Sequence, residues 1–290
     1  MDVARNLSEL NAALENFDRC GARKVFVPTM GNLHDGHLHL MTEARRYGDG
    51  VVASVYVNPM QFGPGEDFES YPRTEKQDLA QLKDCGVDLV FMPDISDIYP
   101  REVEAHTTVE VPELGAILCG ASRPGHFRGV TTVVNRLFNL VAPQAAVFGK
   151  KDYQQWLLIR LMVADLGMPI EVIGVDTVRG ADGLALSSRN GYLSEAERAI
   201  APKLYETLGW MAGQISEQGA YAGDFLAGIE SQARDRLQGF GFDPDYISVR
   251  RQGDLGVPQT GDQEWVILAA AQLGKTRLID NLEVNLKPSD

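Results

Sequence analysis

Residues Val25 to Leu40, VFVPTMGNLHDGHLHL, constrain this chain more than any other segment. Val25, Phe26 and Val27 form a short apolar run suited to a buried strand. Pro28 and Gly31 break it, and Leu40, Ala44 and Tyr47 then recur at the spacing of one helix face. His34 and His37 fall where strand hands over to helix. Unpaired backbone N–H groups and the positive end of the helix dipole converge at such a junction, so it suits a polyphosphate. Two imidazoles there are placed to hydrogen-bond phosphate oxygens as charge builds in a transition state. Gly36 between them lets the backbone come close to a ligand. A zinc site fits poorly, because the metalloprotease pattern sets its histidines four apart with a glutamate beside the first. An incidental turn with a capping histidine competes with the nucleotide reading, and the strand before it and the helix after it weigh against that.

The first half of the chain alternates strands and helices. Asn6 and Glu9 match a capping box for a helix carrying Leu10, Leu14 and Phe17, ended by Gly21. Strand-like runs follow at residues 25–27, 51–57, 89–92, 145–148 and 171–178. Val130, Val133, Val134, Leu137, Phe138 and Val141 define one amphipathic helix, and Trp156, Ile159, Met162, Val163 and Leu166 a second. This alternation predicts an α/β fold, a parallel sheet with helices on both faces, whose ligands bind beyond the carboxyl ends of the strands. After Val178 the pattern changes. Ser194 and Glu197 form a capping box for a helix through Ile200, Leu204, Leu208, Met211 and Ile215, and Phe225, Ile229 and Leu237 mark another. Residues 246–249, 265–271 and 277–282 read as a small antiparallel sheet. The expected organisation is therefore a domain over residues 1–178 and a smaller C-terminal α+β domain over 179–290.

A chain of 290 residues, 44% hydrophobic and 23% charged, has enough apolar sequence for a full core. Its net charge of −13 argues against general nucleic-acid binding, which needs clustered Lys and Arg. The N-terminus lacks the apolar run of a signal peptide, and no stretch approaches the roughly 18 apolar residues of a membrane span, so a cytoplasmic protein is expected. Cys20, Cys85 and Cys119 are odd in number and widely spaced, as expected of reduced thiols.

Three further segments carry chemistry. Residues 57–74, VNPMQFGPGEDFESYPRT, begin at a strand end and continue through Pro59, Gly63, Pro64 and Gly65 as a loop able to close over a site. Asn58 and Gln61 offer amides suited to a small polar substrate. Residues 148–155, FGKKDYQQ, follow another strand; Lys150 and Lys151 suit phosphates, Asp152 a ribose or metal, and Gln155 lies one helical turn past Lys151. Residues 184–193, LALSSRNGYL, set two hydroxyls and a guanidinium in succession before an Asn-Gly turn, a compact phosphate clamp. A surface loop, a solvated charge cluster and a plain turn are the respective alternatives.

PTMGNLHDGH, VNPMQFGPGEDFESYPRT, RPGHFRGV at residues 123–130, FGKKDYQQ and LALSSRN stand in the order found in pantothenate synthetases, and the chain resembles that family over roughly its first two thirds. RLIDN at residues 277–281 fits the family's small domain. His34-x-Gly-His37 is similar to the HIGH-type motif of the wider nucleotidyltransferase superfamily, SSRN stands where its KMSKS-type loop would be, and Leu186 occupies a position where the family also uses Met. The resemblance implies a Rossmann-like fold and condensation of (R)-pantoate with β-alanine, with ATP as substrate, Mg²⁺ as companion ion and a homodimer as the assembly. It implies that the pantoate carboxylate attacks the α-phosphorus of ATP to give pantoyl adenylate, and that the β-alanine amine then displaces AMP. By the same resemblance, Met30, Gly31, Asn32, Leu33, His34, Asp35, Gly36 and His37 wrap the nucleotide, with His37 as proton donor. Gln61 and Gln155, with Asn58, Met30 and Arg123, serve pantoate and β-alanine. Gly149, Lys150, Lys151, Asp152, Val178 and Leu186 frame the adenosine, while Lys151, Ser187, Ser188 and Arg189 meet the phosphates. Residues 63–69 act as a lid that keeps water from the acyl adenylate. A metal held mainly by the ATP phosphates suits the weak carboxylate clustering of the chain.

Two other classes share these motifs. A dinucleotide-forming nucleotidyltransferase or a small aminoacyl-tRNA synthetase-like enzyme would use the same phosphate chemistry, but the acidic balance disfavours tRNA and the two glutamines favour a small polyol acid. A catalytically silent nucleotide sensor would bind ATP and release no pyrophosphate. Gly274-Lys275-Thr276 resembles the end of a P-loop only superficially. Ala269 stands where the first glycine is required, and the segment joins two strands.

Overall fold

Strands that are apolar along their whole length, with no polar alternate face, belong in a sheet covered on both sides. The computed structural model, which describes residues 1–218 and 223–286, contains such a sheet. It is built from β1 (Asp2–Ala4), α1 (Leu7–Arg19), β2 (Lys24–Thr29), α2 (Asp35–Ala44), β3 (Gly50–Val55), α3 (Glu75–Asp84), β4 (Leu89–Phe91), α4 (Ile95–Ile98), α5 (Cys119–Ser122), α6 (His126–Val141), β5 (Ala145–Gly149), α7 (Tyr153–Asp165) and β6 (Glu171–Val175). The strand order is β1-β4-β3-β2-β5-β6, parallel throughout. Alternate residues of β2 separate the two faces. Val25 and Val27 pack with Met41 and Ala44 of α2 and Leu82 of α3, whereas the Phe26 ring meets Phe138 of α6 edge-on at 6.3 Å. Because the chain order reverses at β2, with β3 on one side and β5 on the other, the crevice past their carboxyl ends is the expected ligand site.

The remaining elements are α8 (Glu195–Ile200), α9 (Lys203–Gln218), α10 (Asp224–Gly239), β7 (Asp243–Arg251), β8 (Glu264–Leu273) and β9 (Thr276–Asn285). The three strands form an antiparallel sheet in the order β7-β8-β9. Trp265, Ile267, Ala269 and Ala271 on one face of β8 share a core with Leu208 and Met211 of α9 and with Ile229 and Leu237 of α10. The chain divides into two compact units, Met1–Lys150 with Leu158–Asp176, and Lys151–Leu157 with Thr177–Asp290. The short stretch 151–157 thus counts with the second unit, although a single break near residue 178 places it in the first.

Several local differences have plain causes. The edge strand β1 is only three residues long and carries no periodic signal, yet the Asp2 N–H donates to the Asp88 carbonyl at 2.7 Å and Met92 N–H to the Ala4 carbonyl at 2.8 Å. The helix expected from Ser194 through Ile215 is two helices, because Pro202 has no N–H to continue the first. Its capping box is present: Glu197 N–H donates to Ser194 Oγ and Ser194 N–H to Glu197 Oε2. At Asn6 only half of the box forms, since Asn6 Oδ1 accepts from Glu9 N–H while Glu9 accepts from Arg5 N–H. Helix α2 ends at Ala44, short of Tyr47, and β6 ends at Val175, short of Val178. Gly274 and Lys275 are a two-residue hairpin loop between Leu273 and Thr276, not a phosphate loop. Among the described residues no helix is long and apolar enough to cross a membrane.

Helix α6 presses on the 3₁₀ turn Pro59–Gln61 at Gly129, where a Cβ atom would overlap the Met60 carbonyl and come within 2.7 Å of the Gln61 Cα. Glycine at this buried helical position therefore serves close approach. Gly129→Ala is expected to lower stability by roughly 1 to 3 kcal/mol through overpacking, seen as a fall in the thermal midpoint. An unchanged midpoint would mean that the turn yields freely to the added methyl group.

Candidate active site

Thr29 closes β2, and its Oγ1 both donates to the Ser54 carbonyl at 2.7 Å and accepts from Gly31 N–H at 3.2 Å. The chain then turns sharply: Gly31 has φ +77° and Asn32 φ +49°, both left-handed. Asp78 of α3, only 1% exposed, fixes this turn. Its two carboxylate oxygens accept from Asn32 N–H at 3.1 Å and Leu33 N–H at 2.9 Å, and Thr74 Oγ1 donates to it at 3.1 Å. A Cβ at Gly31 would lie 2.9 Å from Asp78 Oδ2, so the glycine also makes room for the carboxylate.

His34 caps α2. Its Nδ1 accepts from Gly36 N–H at 3.1 Å, and an imidazole that accepts at Nδ1 carries its proton on Nε2. The capping reading and the phosphate reading of His34 are thus compatible, since one ring nitrogen serves each role. The His37 ring lies one turn on, with centroids 4.1 Å apart and planes tilted by 37°. The paired rings at the positive end of a ten-residue helix form a donor set for an anion. At the end of the neighbouring β5, Gly149 is followed by Lys150, whose ammonium lies 3.2 Å from the exposed Asp176 carboxylate, a weak pair.

Past the end of β3, Gln61 is held from several directions. Its Nε2 donates to Met30 Sδ at 3.1 Å, its Oε1 accepts from Asn58 Nδ2 at 3.1 Å, and its carbonyl lies 2.8 Å from His126 Nδ1. Asn58, which reads from sequence as a substrate contact, has its amide occupied by protein groups instead. Nδ2 also donates to the Gly129 carbonyl, and Oδ1 accepts from Tyr99 Oη at 2.7 Å and Met60 N–H at 3.3 Å. Arg123 likewise faces protein. Its Nε and Nη2 donate to Glu66 at 2.7 and 2.6 Å, and its Nη1 lies 3.0 Å from His126 Nε2. Burial alone would raise the Glu66 pKa, but the hydrogen bonds and charge of Arg123 outweigh it and hold the carboxyl down at about 2. The loop expected to act as a lid is thereby pinned at Glu66.

Lys150–Asp152 forms a 3₁₀ turn before α7, which carries Gln155 half-buried in its first turn. Asn281 of β9 donates to the Lys151 carbonyl at 2.9 Å, and Lys151 Nζ lies 3.8 Å from Asp152. Residues 178–186 fold back on themselves, with Leu186 N–H donating to the Val178 carbonyl and Arg179 bridging Ala185. Arg179 makes a bidentate pair with buried Asp280 at 2.7 and 2.8 Å and stacks on Tyr205. This small hairpin presents Ser187, Ser188 and Arg189, and Ser187 Oγ accepts from Arg189 N–H at 3.3 Å. The RLIDN segment, weak as a motif, therefore has a structural use: Asp280 holds one segment of candidate site residues and Asn281 another. Asp78, Tyr99, His126, Arg179 and Asp280 each hold a candidate residue or its segment, and sequence reasoning gave them no individual role, because each acts through a partner 41 to 101 residues away.

A profile of the pantoate–β-alanine ligase family matches residues 2–283. A pantothenate synthetase of Aeromonas hydrophila is 52% identical over 290 residues, all of both chains, and one of Pseudomonas fluorescens is 52% identical over 286 residues, 99% of each. Among solved structures, the pantothenate synthetase of Thermus thermophilus superposes with a TM-score of 0.89 at 46% identity, covering 98% of this chain and 100% of that one. The pantoate–β-alanine ligase of Francisella tularensis, complexed with β,γ-ATP and β-alanine, gives a TM-score of 0.78 at 34% identity, covering 97% of each chain. With its parallel sheet, its His34–His37 turn and a match across both compact units, the chain belongs to the pantoate–β-alanine ligase family.

Proposed function

We propose that this protein condenses (R)-pantoate with β-alanine, cleaving ATP to AMP and pyrophosphate through a pantoyl-adenylate intermediate. The observation that carries the reading is the extent of the family match, which includes Gln61 and Gln155 as well as the nucleotide motifs. In the first step a pantoate carboxylate oxygen bonds to the α-phosphorus of ATP and pyrophosphate leaves. In the second, the β-alanine nitrogen bonds to the acyl carbon, AMP leaves and the nitrogen loses its proton. Neither step needs a covalent enzyme intermediate, so the protein contributes alignment and charge stabilisation.

In this reading His34, through Nε2, and His37 donate to the phosphates at the N-terminus of α2, with His37 as proton donor, and Met30 to Gly36 line the nucleotide. Gly149, Lys150, Asp152, Val178 and Leu186 frame the adenosine, and Lys151, Ser187, Ser188 and Arg189 bear on the phosphates. Gln61 and Gln155 take the pantoate hydroxyls and carboxylate. Asn58 and Arg123 serve by holding Gln61 and the lid residue Glu66. The donors here are imidazoles, backbone N–H groups and a lysine, a set that fits phosphate oxygens, so Mg²⁺ would be carried by the ATP phosphates, where it neutralises charge. A homodimer is the assembly the family resemblance supports, and sedimentation equilibrium giving the mass of one chain would overturn it.

Isotope exchange between pyrophosphate and ATP is expected to require pantoate and to proceed without β-alanine, because the carboxylate must be adenylated before an amine can attack. Exchange that depends on β-alanine, or no exchange at all, would sink the two-step scheme. Lys151→Ala is expected to slow adenylation by about 2.7 to 4 kcal/mol, the range of a lost transition-state donor, and to slow amide formation from supplied pantoyl adenylate much less. Equal losses in both half-reactions would reassign Lys151 to general architecture.

A further inference from the structure

The Gln61 side chain owes its orientation to a chain of hydrogen bonds that begins on a distant element. Asn58 is 1% exposed, and every polar position of its amide is used: two N–H donors go to Gln61 Oε1 and the Gly129 carbonyl, while Oδ1 accepts from Met60 N–H and Tyr99 Oη. Of these partners only the Tyr99 hydroxyl comes from outside the 58–61 turn and the helix packed on it. Tyr99 caps the carboxyl end of α4, with its N–H on the Ile95 carbonyl at 2.7 Å, and its ring sits edge-on to His106 at 5.1 Å.

We propose that Tyr99 is a positioning residue for pantoate: its hydroxyl anchors the Asn58 amide, which in turn holds the Gln61 amide in the orientation that pantoate meets. An asparagine amide is nearly symmetric in shape, and its two orientations differ chiefly in which neighbours donate and which accept. Tyr99 Oη donates its proton to Oδ1 and holds that end of the amide in place; a flip of Asn58 is opposed by Met60 N–H, which would meet an N–H₂ group, and by the Gly129 carbonyl, which would meet an oxygen, whereas the phenol oxygen accepts as well as donates. Gln61 Oε1 would then face an oxygen instead of a donor, and its own amide would no longer be held with Nε2 toward Met30. Burial pushes the Tyr99 phenol above its ordinary pKa, so it remains a donor across the working pH range. The inference rests on the reading of Gln61 as a pantoate contact and adds what orients it.

Tyr99→Phe removes the hydroxyl and keeps the ring against His106. Kinetics of Tyr99→Phe, Gln61→Ala and the double variant, with pantoate and ATP varied in turn, test the role. The expected result is a loss of about tenfold in kcat/KM for pantoate in Tyr99→Phe, with the KM for ATP unchanged. In the Gln61→Ala background the same change should cost less than about twofold, because two residues acting through one contact are not additive. Equal fold-losses in both backgrounds, or equal losses toward ATP and pantoate, would make Tyr99 merely structural. A loss in Gln61→Ala with none in Tyr99→Phe would overturn the positioning role alone. If Gln61→Ala itself leaves kcat/KM for pantoate intact, the assignment of Gln61 fails, and the role of Tyr99 fails with it.

Discussion

A carboxylate as deeply buried as Asp78 needs hydrogen-bond donors close at hand, and those it has are the backbone N–H groups of Asn32 and Leu33 together with the Thr74 hydroxyl. This one constraint sets the geometry of the turn between β2 and α2. The turn must pass through two successive left-handed residues, Gly31 and Asn32, and must leave no side chain where the carboxylate sits. Helix α2 then starts where His34 can cap it, and the two imidazoles stack at its positive end. Loss of the Asp78 contacts would leave the Asn32 and Leu33 N–H groups, the second of them buried, without their partner in the turn that precedes α2.

The same design recurs in each unit: segments singled out in the sequence are held by hydrogen bonds to other protein groups. Gln61 is held by Asn58, Met30 and His126, and Glu66 by Arg123. In the second unit Asp280 anchors Arg179 at the base of the 178–186 hairpin, and Asn281 anchors the Lys151 carbonyl. Positioning of this kind matters for an adenylating enzyme, because no covalent intermediate holds the reactants and misplacement by about 1 Å costs on the order of a hundredfold in rate. Buried, fully partnered polar networks supply the rigidity.

Much of the architecture was legible in the order of residues. Strands β2 to β6, helices α6 and α7, the Ser194 cap and the antiparallel trio at the end of the chain all follow from local periodicity and capping chemistry. Strand β1 did not, because Asp2, Val3 and Ala4 make no apolar run of the kind that marks β4, and β1 is defined only by its pairing with that strand. The interruption at Pro202 was present in the sequence and was outweighed there by a continuous apolar face. The site divides in the same way. His34, His37, Gln61, Lys151 and the Ser187–Arg189 triplet stand in compact motifs, whereas the protein partners that hold Asn58, Gln61 and Arg123 come in part from segments far along the chain.

By itself the sequence determined the fold class and the family, because these depend on periodicity and on residue types close together along the chain. Only the tertiary structure decided which protein groups each of these polar side chains is bonded to and which distant residues hold them in place. The physical reason is that a buried amide or carboxylate takes its role from the donors and acceptors around it. For Asn58, Asp78 and Asp280 some or all of those partners lie far away in sequence: Tyr99 and Gly129 for the first, Asn32 and Leu33 for the second, Arg179 for the third.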